Sequence, residues 1–451
     1  MTRYSDAVQS LVWGAHYGGG SSFEATSPLD DSLIAAGELL GDLSLLNGHE
    51  LPRELDFASL GQRLAEEIRL RQAAFVEAAR LETGFTLRDC NELIDGALAY
   101  ATAFAGHPST QLNTATEGFT SNERRMELVE VPYGTVAVIL PNNAFLPLAL
   151  ACLLNALRAG NRVVLRSPTQ SARSAALLAE IVHTLSEIAP FVSIVICAAP
   201  AFVDWFMASP GGGLLHFFGS SRRAAELVAR GFDSGKTVLI DGEGNAWTYV
   251  DRSADPNKAA NLLVNGAFRY NGQTCTSING AIVHPELYDT VTELVIAGAS
   301  RHEVGPVFNE LQAQWCLDRI AESRGEIKTG GTRRGPYVAP TIVTDPHPAS
   351  DLVREGIFGP GLWIAKGNED DFADGWRENV YPLCAAVLQE PSDPVTWANR
   401  LPNLARLVLN GDPSIEDPFE YWGGYPPAGQ NSVSRWPAKY LRTVQIDKPF
   451  L

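Results

Sequence analysis

From Thr135 onward, short apolar strands alternate with helical stretches so closely that a parallel sheet wound on both faces is the architecture they fit. Val136-Ala137-Val138-Ile139-Leu140 reads as a buried strand, Leu146 to Arg158 as a helix, Arg162 to Arg166 as a second strand and Ser171 to Ile188 as a second helix. Val192 to Ile196 and Leu215 to Phe218 continue the series, the last running through Gly219-Ser220-Ser221 into another helix. Parallel neighbours need crossovers, and helices in those crossovers cover both faces of the sheet. Such an architecture suits a nucleotide. No G-x-G-x-x-G follows any of these strands, so the pattern alone does not single out a dinucleotide. A second α/β run begins near Thr237-Val238-Leu239-Ile240 and takes in the strand from Gly280 to Val283 and the end around Leu407 to Leu409. The first ~110 residues read as mainly helical after an irregular start, with apolar residues at 3–4 spacing from Leu60 to Leu81 and from Cys90 to Phe104. Arg124 to Val131 alternates as an exposed strand does.

With 451 residues and 45% apolar composition, the chain has material for two or three domains. Its formal charge of −17 disfavours nucleic acid and anionic membrane as partners, because both require a basic surface. The start Met1-Thr2-Arg3-Tyr4-Ser5-Asp6 has no apolar core of a signal peptide, and Pro141 breaks the longest apolar stretch. Six cysteines lie scattered without a C-x-x-C, and the eight histidines show no metal-ligand spacing. The expectation is a cytoplasmic protein with reduced thiols and no metal.

One cysteine stands apart. Tyr270-Asn271-Gly272-Gln273-Thr274-Cys275-Thr276-Ser277 places a thiol on a polar, glycine-containing turn. A thiolate there can hold a carbonyl as a thiohemiacetal or an acyl group as a thioester, and its own N–H can donate to an oxyanion. Cysteines are also common small core residues, so the reading depends on the surroundings.

Those surroundings resemble the aldehyde dehydrogenase superfamily from about Ser27 to the C-terminus. Pro132-Tyr133-Gly134-Thr135, leading into Leu140-Pro141-Asn142-Asn143, is similar to the strand and turn that enter the cofactor domain. Ala159 to Arg166 is similar to the next strand, and Phe218-Gly219-Ser220 to the turn whose helix receives the pyrophosphate. Gly272-Gln273-Thr274-Cys275 resembles the nucleophile loop, and Ile357-Phe358-Gly359-Pro360 a late catalytic loop. The resemblance implies an α/β fold with two doubly wound parallel-sheet domains and an oligomerisation arm. Residues 1–110 and 133–240 are then the dinucleotide-binding domain, 241–431 the catalytic domain, and 111–132 with 432–451 the arm and tail. It further implies Cys275 as nucleophile and Asn143 as oxyanion donor. Leu140, Pro141, Asn142, Arg166, Thr169, Gly219, Ser220 and Phe358 are the implied contacts of NADP or NAD.

The chain departs from the family pattern where deacylation is controlled. Ile240 stands where hydrolytic members carry a water-activating glutamate, and Glu243 replaces it only if its loop turns inward. The stretch Gly242-Glu243-Gly244-Asn245 is similar to that of CoA-acylating aldehyde dehydrogenases and γ-glutamyl phosphate reductases, which manage without that glutamate. Gly356 takes the position of the glutamate expected before Ile357, leaving Phe358 as the nicotinamide contact and Glu355 expected to point elsewhere. Thr169 replaces a carboxylate frequent in NAD-preferring members, and Arg166 is positioned to pair with a 2′-phosphate, so NADP is slightly favoured. The expected reaction interconverts an aldehyde and an acyl-level compound through Cys275. The alternatives are CoA-acylating or thioester-reducing chemistry, or a non-catalytic ligand-binding homologue. Expected partners are a small aldehyde or acyl thioester, possible CoA, and copies of the chain in a homodimer or homotetramer. Trp247, Phe268, Tyr270, Tyr421 and Trp422 are the aromatic candidates for a substrate tunnel.

Overall fold

The computed structural model of the chain describes residues 7–48, 50–52, 54–112, 117–121, 124–429 and 432–449. Two seven-stranded sheets organise it. The first runs in the order Thr237–Asp241, Leu214–Phe218, Thr135–Ile139, Arg162–Ser167, Val192–Ile196, Ser10–Val12, Ala15–Tyr17. Its first five strands are parallel and its last two antiparallel. Apolar clusters cover both faces: one contains the nearly all-buried helix Phe145–Arg158, the other the aromatic helix Ala199–Ala208. A helix apolar on every side has to be enclosed, which is why Phe145–Arg158 lies between this sheet and the amino-terminal helices Phe57–Leu70 and Leu87–Ala103.

Two sequence expectations change here. The supposedly irregular start contains strands. Leu11 pairs with Ile194, and Gly19–Thr26 forms a hairpin with Leu33–Leu40. Thr237–Asp241, expected to open the second α/β run, instead pairs with Leu214–Phe218 and forms an edge of the first sheet. Short apolar runs are legible locally, but their partners are chosen by burial elsewhere in the chain.

The second sheet runs Glu326–Thr329, Thr341–Thr344, Gly361–Lys366, Ile278–Val283, Ala246–Val250, Cys384–Leu388, Arg406–Leu409, and all pairs but the first are parallel. Cys275 precedes its middle strand. A smaller three-stranded sheet joins Leu441–Pro449, Arg124–Pro132 and Glu117–Ser121, so the segments expected as arm and tail pair with each other. Residues 113–116, 122–123, 430–431 and 450–451 of those segments lie outside the described residues. Among the described residues no helix is long and apolar enough to cross a membrane.

Chain order in the first sheet reverses at Thr135–Ile139, which is followed on one side by Arg162–Ser167 and flanked on the other by Leu214–Phe218. Ligands of open parallel sheets bind outside the strand carboxyl ends at such a reversal. Leu140–Asn143 and Gly219–Ser220 leave the sheet at that point.

Behind the crevice, Glu82 fastens helix Gln72–Thr83 to helix Ala172–Thr184. Its carboxyl accepts from Ser174 N at 2.8 Å and Ser174 Oγ at 2.5 Å, and its backbone carbonyl accepts from Asn142 Nδ2 at 3.1 Å. Burial pushes the carboxyl up to about 7. The native state therefore holds this proton more tightly than the unfolded chain, and stability falls as pH rises from about 4.5 through about 7. Glu82→Gln should match the parent in thermal unfolding near pH 4.5 and exceed it above pH 7; parallel curves across that window would contradict the assignment.

Candidate active site

Cys275 follows a backbone arrangement that few residues tolerate. Tyr270, Asn271 and Gly272 have φ of 52°, 57° and 66°, a left-handed run containing two residues with Cβ atoms. Asn271 is fully buried and anchors the turn: Nδ2 donates to Pro306 O at 2.9 Å and to Gly84 O at 3.3 Å, while Oδ1 accepts from Gly305 N at 2.7 Å. Tyr270 N donates to Asp89 Oδ2 at 3.2 Å. The turn carries Cys275 to the wall of a cavity of about 700 Å³, a volume suited to a small molecule. Of the six cysteines, it alone is half-buried rather than fully enclosed.

Asn143 lines the same cavity, and its Nδ2 donates to Gln273 O at 2.8 Å, two residues before the thiol. An amide nitrogen carries two hydrogens, so the second is available to an oxygen of a bound substrate. Pro141, Asn142, Gly219, Ser220 and Phe358 also line the cavity. Leu140 is buried behind them, with its N–H donating to Arg166 O at 3.0 Å. Asn142 serves structure as well, accepting from Ser171 Oγ at 2.6 Å.

A dinucleotide fits this crevice on three observations. Gly219 and Ser220 are exposed at the N-terminus of the helix Ser221–Asp233, which has no side-chain cap from Ser220. A helix start of this kind attracts phosphate. Phe358 presents its ring at 38% exposure, and the exposed Arg222 begins the helix. Arg166 does not behave as expected. Its Nε and Nη2 both donate to Cys197 O, at 3.1 and 3.0 Å, so those donors are committed to the sheet's end. Thr169 opens the short helical turn Thr169–Ser171 and places no carboxylate there.

The acidic side chains were the least legible part of the site. Glu243 does turn inward, but its carboxylate accepts from Ser221 N, at the helix start where a phosphate would bind. Glu355, expected to point away, lines a smaller cavity of about 190 Å³ together with Phe358, and pairs with Arg319 at 2.5 Å. Gly356 explains the change: it has φ of 78°, and a Cβ there would meet Asn245 Oδ1 at 2.8 Å. Glu416 accepts from Thr276 Oγ1 at 3.0 Å and lines the main cavity, and desolvation raises its pKa. Asp241 lies 2.5 Å from the buried His216. Burial first, then the Glu416 and Asp241 charges, hold the Cys275 thiol well above its ordinary value. The resting sulfur is therefore protonated.

Among the aromatic candidates, Tyr270 and Trp422 line the cavity. Trp247 and Phe268 belong to the core, and Tyr421 is exposed. Among the described residues no group of three or more His, Cys, Asp or Glu is arranged to hold a metal ion.

A parallel-sheet crevice that opens onto the same cavity as a thiol and an amide is the framework of an aldehyde-acting oxidoreductase. The chain belongs to the aldehyde dehydrogenase family, whose sequence profile matches residues 58–431. It is 31% identical over 291 residues to the alpha-ketoglutarate semialdehyde dehydrogenase of Haloferax volcanii, a match spanning 60% of this chain and 59% of that protein. To the 3-sulfolactaldehyde dehydrogenase of Priestia aryabhattai it is 26% identical, over 81% of this chain and 80% of the relative. The NAD+ complex of an aldehyde dehydrogenase from Bacillus cereus shares its fold, with a TM-score of 0.86 at 20% identity, covering 99% of this chain and 97% of that one.

Glu243 places a negative charge where the helix start would otherwise favour an anion. Glu243→Gln should tighten cofactor binding roughly two- to fivefold, the equivalent of about 0.3–1 kcal/mol at a helix terminus. Titration with NADPH, followed by nicotinamide fluorescence, measures this; an unchanged or weaker Kd would refute it.

Proposed function

We propose that the protein interconverts an aldehyde and an acyl-level compound through a covalent adduct on Cys275. The observation that carries this reading is the shared cavity: the thiol and the Asn143 amide face the same space, beside the crevice that fits a dinucleotide. A dinucleotide bound there supplies the hydride acceptor. Once deprotonated, Cys275 Sγ attacks the aldehyde carbon, and the developing oxyanion accepts from Asn143 Nδ2 and the Cys275 N–H. The oxidised adduct is a thioester on Sγ. Water or another nucleophile then releases the acyl group.

Release to CoA, or thioester reduction in the reverse direction, is a second reading, favoured by one observation. Ile240, at the position of the usual base, is 3% exposed and packs into the core on the far face of its strand. It neither reaches the cavity nor carries a proton acceptor.

The cavity chemistry favours a neutral aldehyde. The Haloferax and Priestia relatives act by name on aldehydes that carry an anionic group. Here five carboxyl-bearing residues line the main cavity, and the lining Arg269 is paired with Glu92. For the cofactor, Thr169 raises no charge against a 2′-phosphate, and Arg222 and Arg223 are exposed at the neighbouring helix start. NADP is therefore accepted at least as well as NAD.

One experiment tests these points together: a neutral aldehyde such as benzaldehyde, and succinic semialdehyde as the anionic comparison, each with NAD and NADP, with and without CoA. Acid formed rapidly from benzaldehyde without CoA supports oxidation to the acid, whereas turnover that depends on CoA supports the second reading. A preference for NAD over NADP greater than about tenfold, ~1.4 kcal/mol, would overturn the cofactor reading. Faster turnover of succinic semialdehyde would overturn the substrate reading.

We further infer that the three-stranded arm pairs subunits. Phe119, Leu128 and Ile446 on it are exposed at 66%, 42% and 40%, and its outer strand Glu117–Ser121 has one paired edge. Apolar side chains on an open strand edge invite a partner. Phe119→Asp combined with Ile446→Asp should lower the sedimenting mass of the parent assembly; an unchanged mass would exclude the arm as the interface.

A further inference from the structure

What releases the acyl group from Cys275 is left open by Ile240, and the strand that carries Ile240 offers an answer. Thr237–Asp241 alternates its faces. Val238 and Ile240 pack into the cluster on one side of the sheet, whereas Leu239 packs against the cluster on the other. Asp241 shares the face of Leu239 and lines the cavity with Cys275. The turn that follows packs directly on the nucleophile: a Cβ on Gly244 would meet Cys275 O at 2.0 Å. Asp241 itself is fixed on both sides, its carbonyl accepting from Gly219 N at 3.1 Å and the next residue's N–H donating to Ala428 O at 2.8 Å.

The Asp241 side chain is oriented by a buried chain of groups. His216 Nε2 lies 2.5 Å from Asp241 Oδ2, and His216 Nδ1 lies 2.8 Å from the Tyr440 hydroxyl. Both His216 and Tyr440 are fully buried, and Asp241 is 10% exposed. With Asp241 ionised, Nε2 carries the proton it donates, and Nδ1 accepts from Tyr440. Trp422 and the buried Lys439 are close enough to favour the ionised form of Asp241. These partners keep the carboxyl below its ordinary range despite its burial, while burial keeps His216 neutral.

The other carboxyls of the cavity are committed. Glu243 is bound to Ser221 N, Glu92 to Arg269, and Asp417 to Phe419 N at 2.8 Å. Glu416 accepts from Thr276 Oγ1 at 3.0 Å.

We propose that Asp241, positioned by His216, is the base that deprotonates the nucleophile releasing the acyl group from Cys275. The proposal rests on the acyl-enzyme reading above. With water as acceptor, the water oxygen bonds to the thioester carbon as Asp241 takes one of its protons. Collapse of the tetrahedral adduct breaks the carbon–Sγ bond, the electron pair leaves on Sγ, and the product is a carboxylic acid. No oxidant is consumed in this step. A CoA thiol would lose its proton to the same carboxylate. His216 acts through Asp241 and touches no reacting atom, so it is a positioning residue.

The test uses 4-nitrophenyl acetate, which acylates a thiol without aldehyde or dinucleotide. A burst of 4-nitrophenolate reports acylation of Cys275 and also shows that the variant is folded; the slow phase reports release. Asp241→Asn should keep a burst of about one equivalent per subunit, lose roughly 10²-fold or more in the slow phase, and accumulate acetylated Cys275 by mass spectrometry. Asp241→Glu should recover part of the slow phase. His216→Leu should keep the burst and move the acid limb of the slow phase to higher pH, because Asp241 loses a donor that holds it ionised. An unchanged slow phase in Asp241→Asn would overturn the proposal, as would loss of its burst where Asp241→Glu keeps one, since the carboxylate would then act in attack. Absence of a Cys275 adduct in the parent protein would instead remove the acyl-enzyme reading on which the proposal stands.

Discussion

Asn271 carries the interaction on which the site depends. Its buried amide holds three backbone groups, at Gly84, Gly305 and Pro306, and so ties the nucleophile turn to an amino-terminal helix end and to a loop of the second sheet's domain. Two residues with side chains sit in the left-handed region on that turn, at a cost of order 1–3 kcal/mol each. Only a fully satisfied anchor keeps such a conformation populated. Because Asn143 in turn donates to Gln273 O, the position of the thiol and the position of its oxyanion donor are set by one connected network. Cys275 can then face the crevice from the second sheet's side without depending on flexible surface loops.

The same enclosure governs the charge of the sulfur. Burial alone disfavours a thiolate, and Glu416 and Asp241 add to that. A protonated thiol is poorly nucleophilic and resists adventitious oxidation. The acidic lining that quiets the thiol is also the basis of the proposed preference for a neutral aldehyde.

The strands and helices from Thr135 to Phe218 were legible because buried apolar runs and amphipathic helices leave local periodicities. Cys275, Asn143, Gly219, Ser220 and Phe358 were legible through the resemblance of their motifs to the aldehyde dehydrogenase family, and the fold collects them around one cavity. Pairings were not. Nothing local in Ser10–Val12 indicates that it joins Val192–Ile196, and nothing in Thr237–Asp241 says which sheet it completes. Side-chain direction was likewise hidden where the backbone is unusual. Glu355 faces a cavity because Gly356 adopts a positive φ, and Arg166 turns to Cys197 O because the neighbouring strand's end offers a buried acceptor.

The side-chain direction with most consequence changes over a single step along one strand. A strand has a side-chain period of two, so a carboxylate at Ile240 and one at Asp241 lie on opposite faces and meet different neighbours. On the face of Ile240 the neighbours are aliphatic and aromatic, and a charge there would be stranded. On the face of Asp241 the adjacent strand supplies His216, whose partner Tyr440 comes from near the carboxyl end of the chain. The position of the usual glutamate and the proposed base are therefore adjacent in sequence yet belong to opposite faces of the sheet. An oriented carboxylate one residue beyond Ile240, followed by the turn that packs on the nucleophile, is what supports the proposed release step.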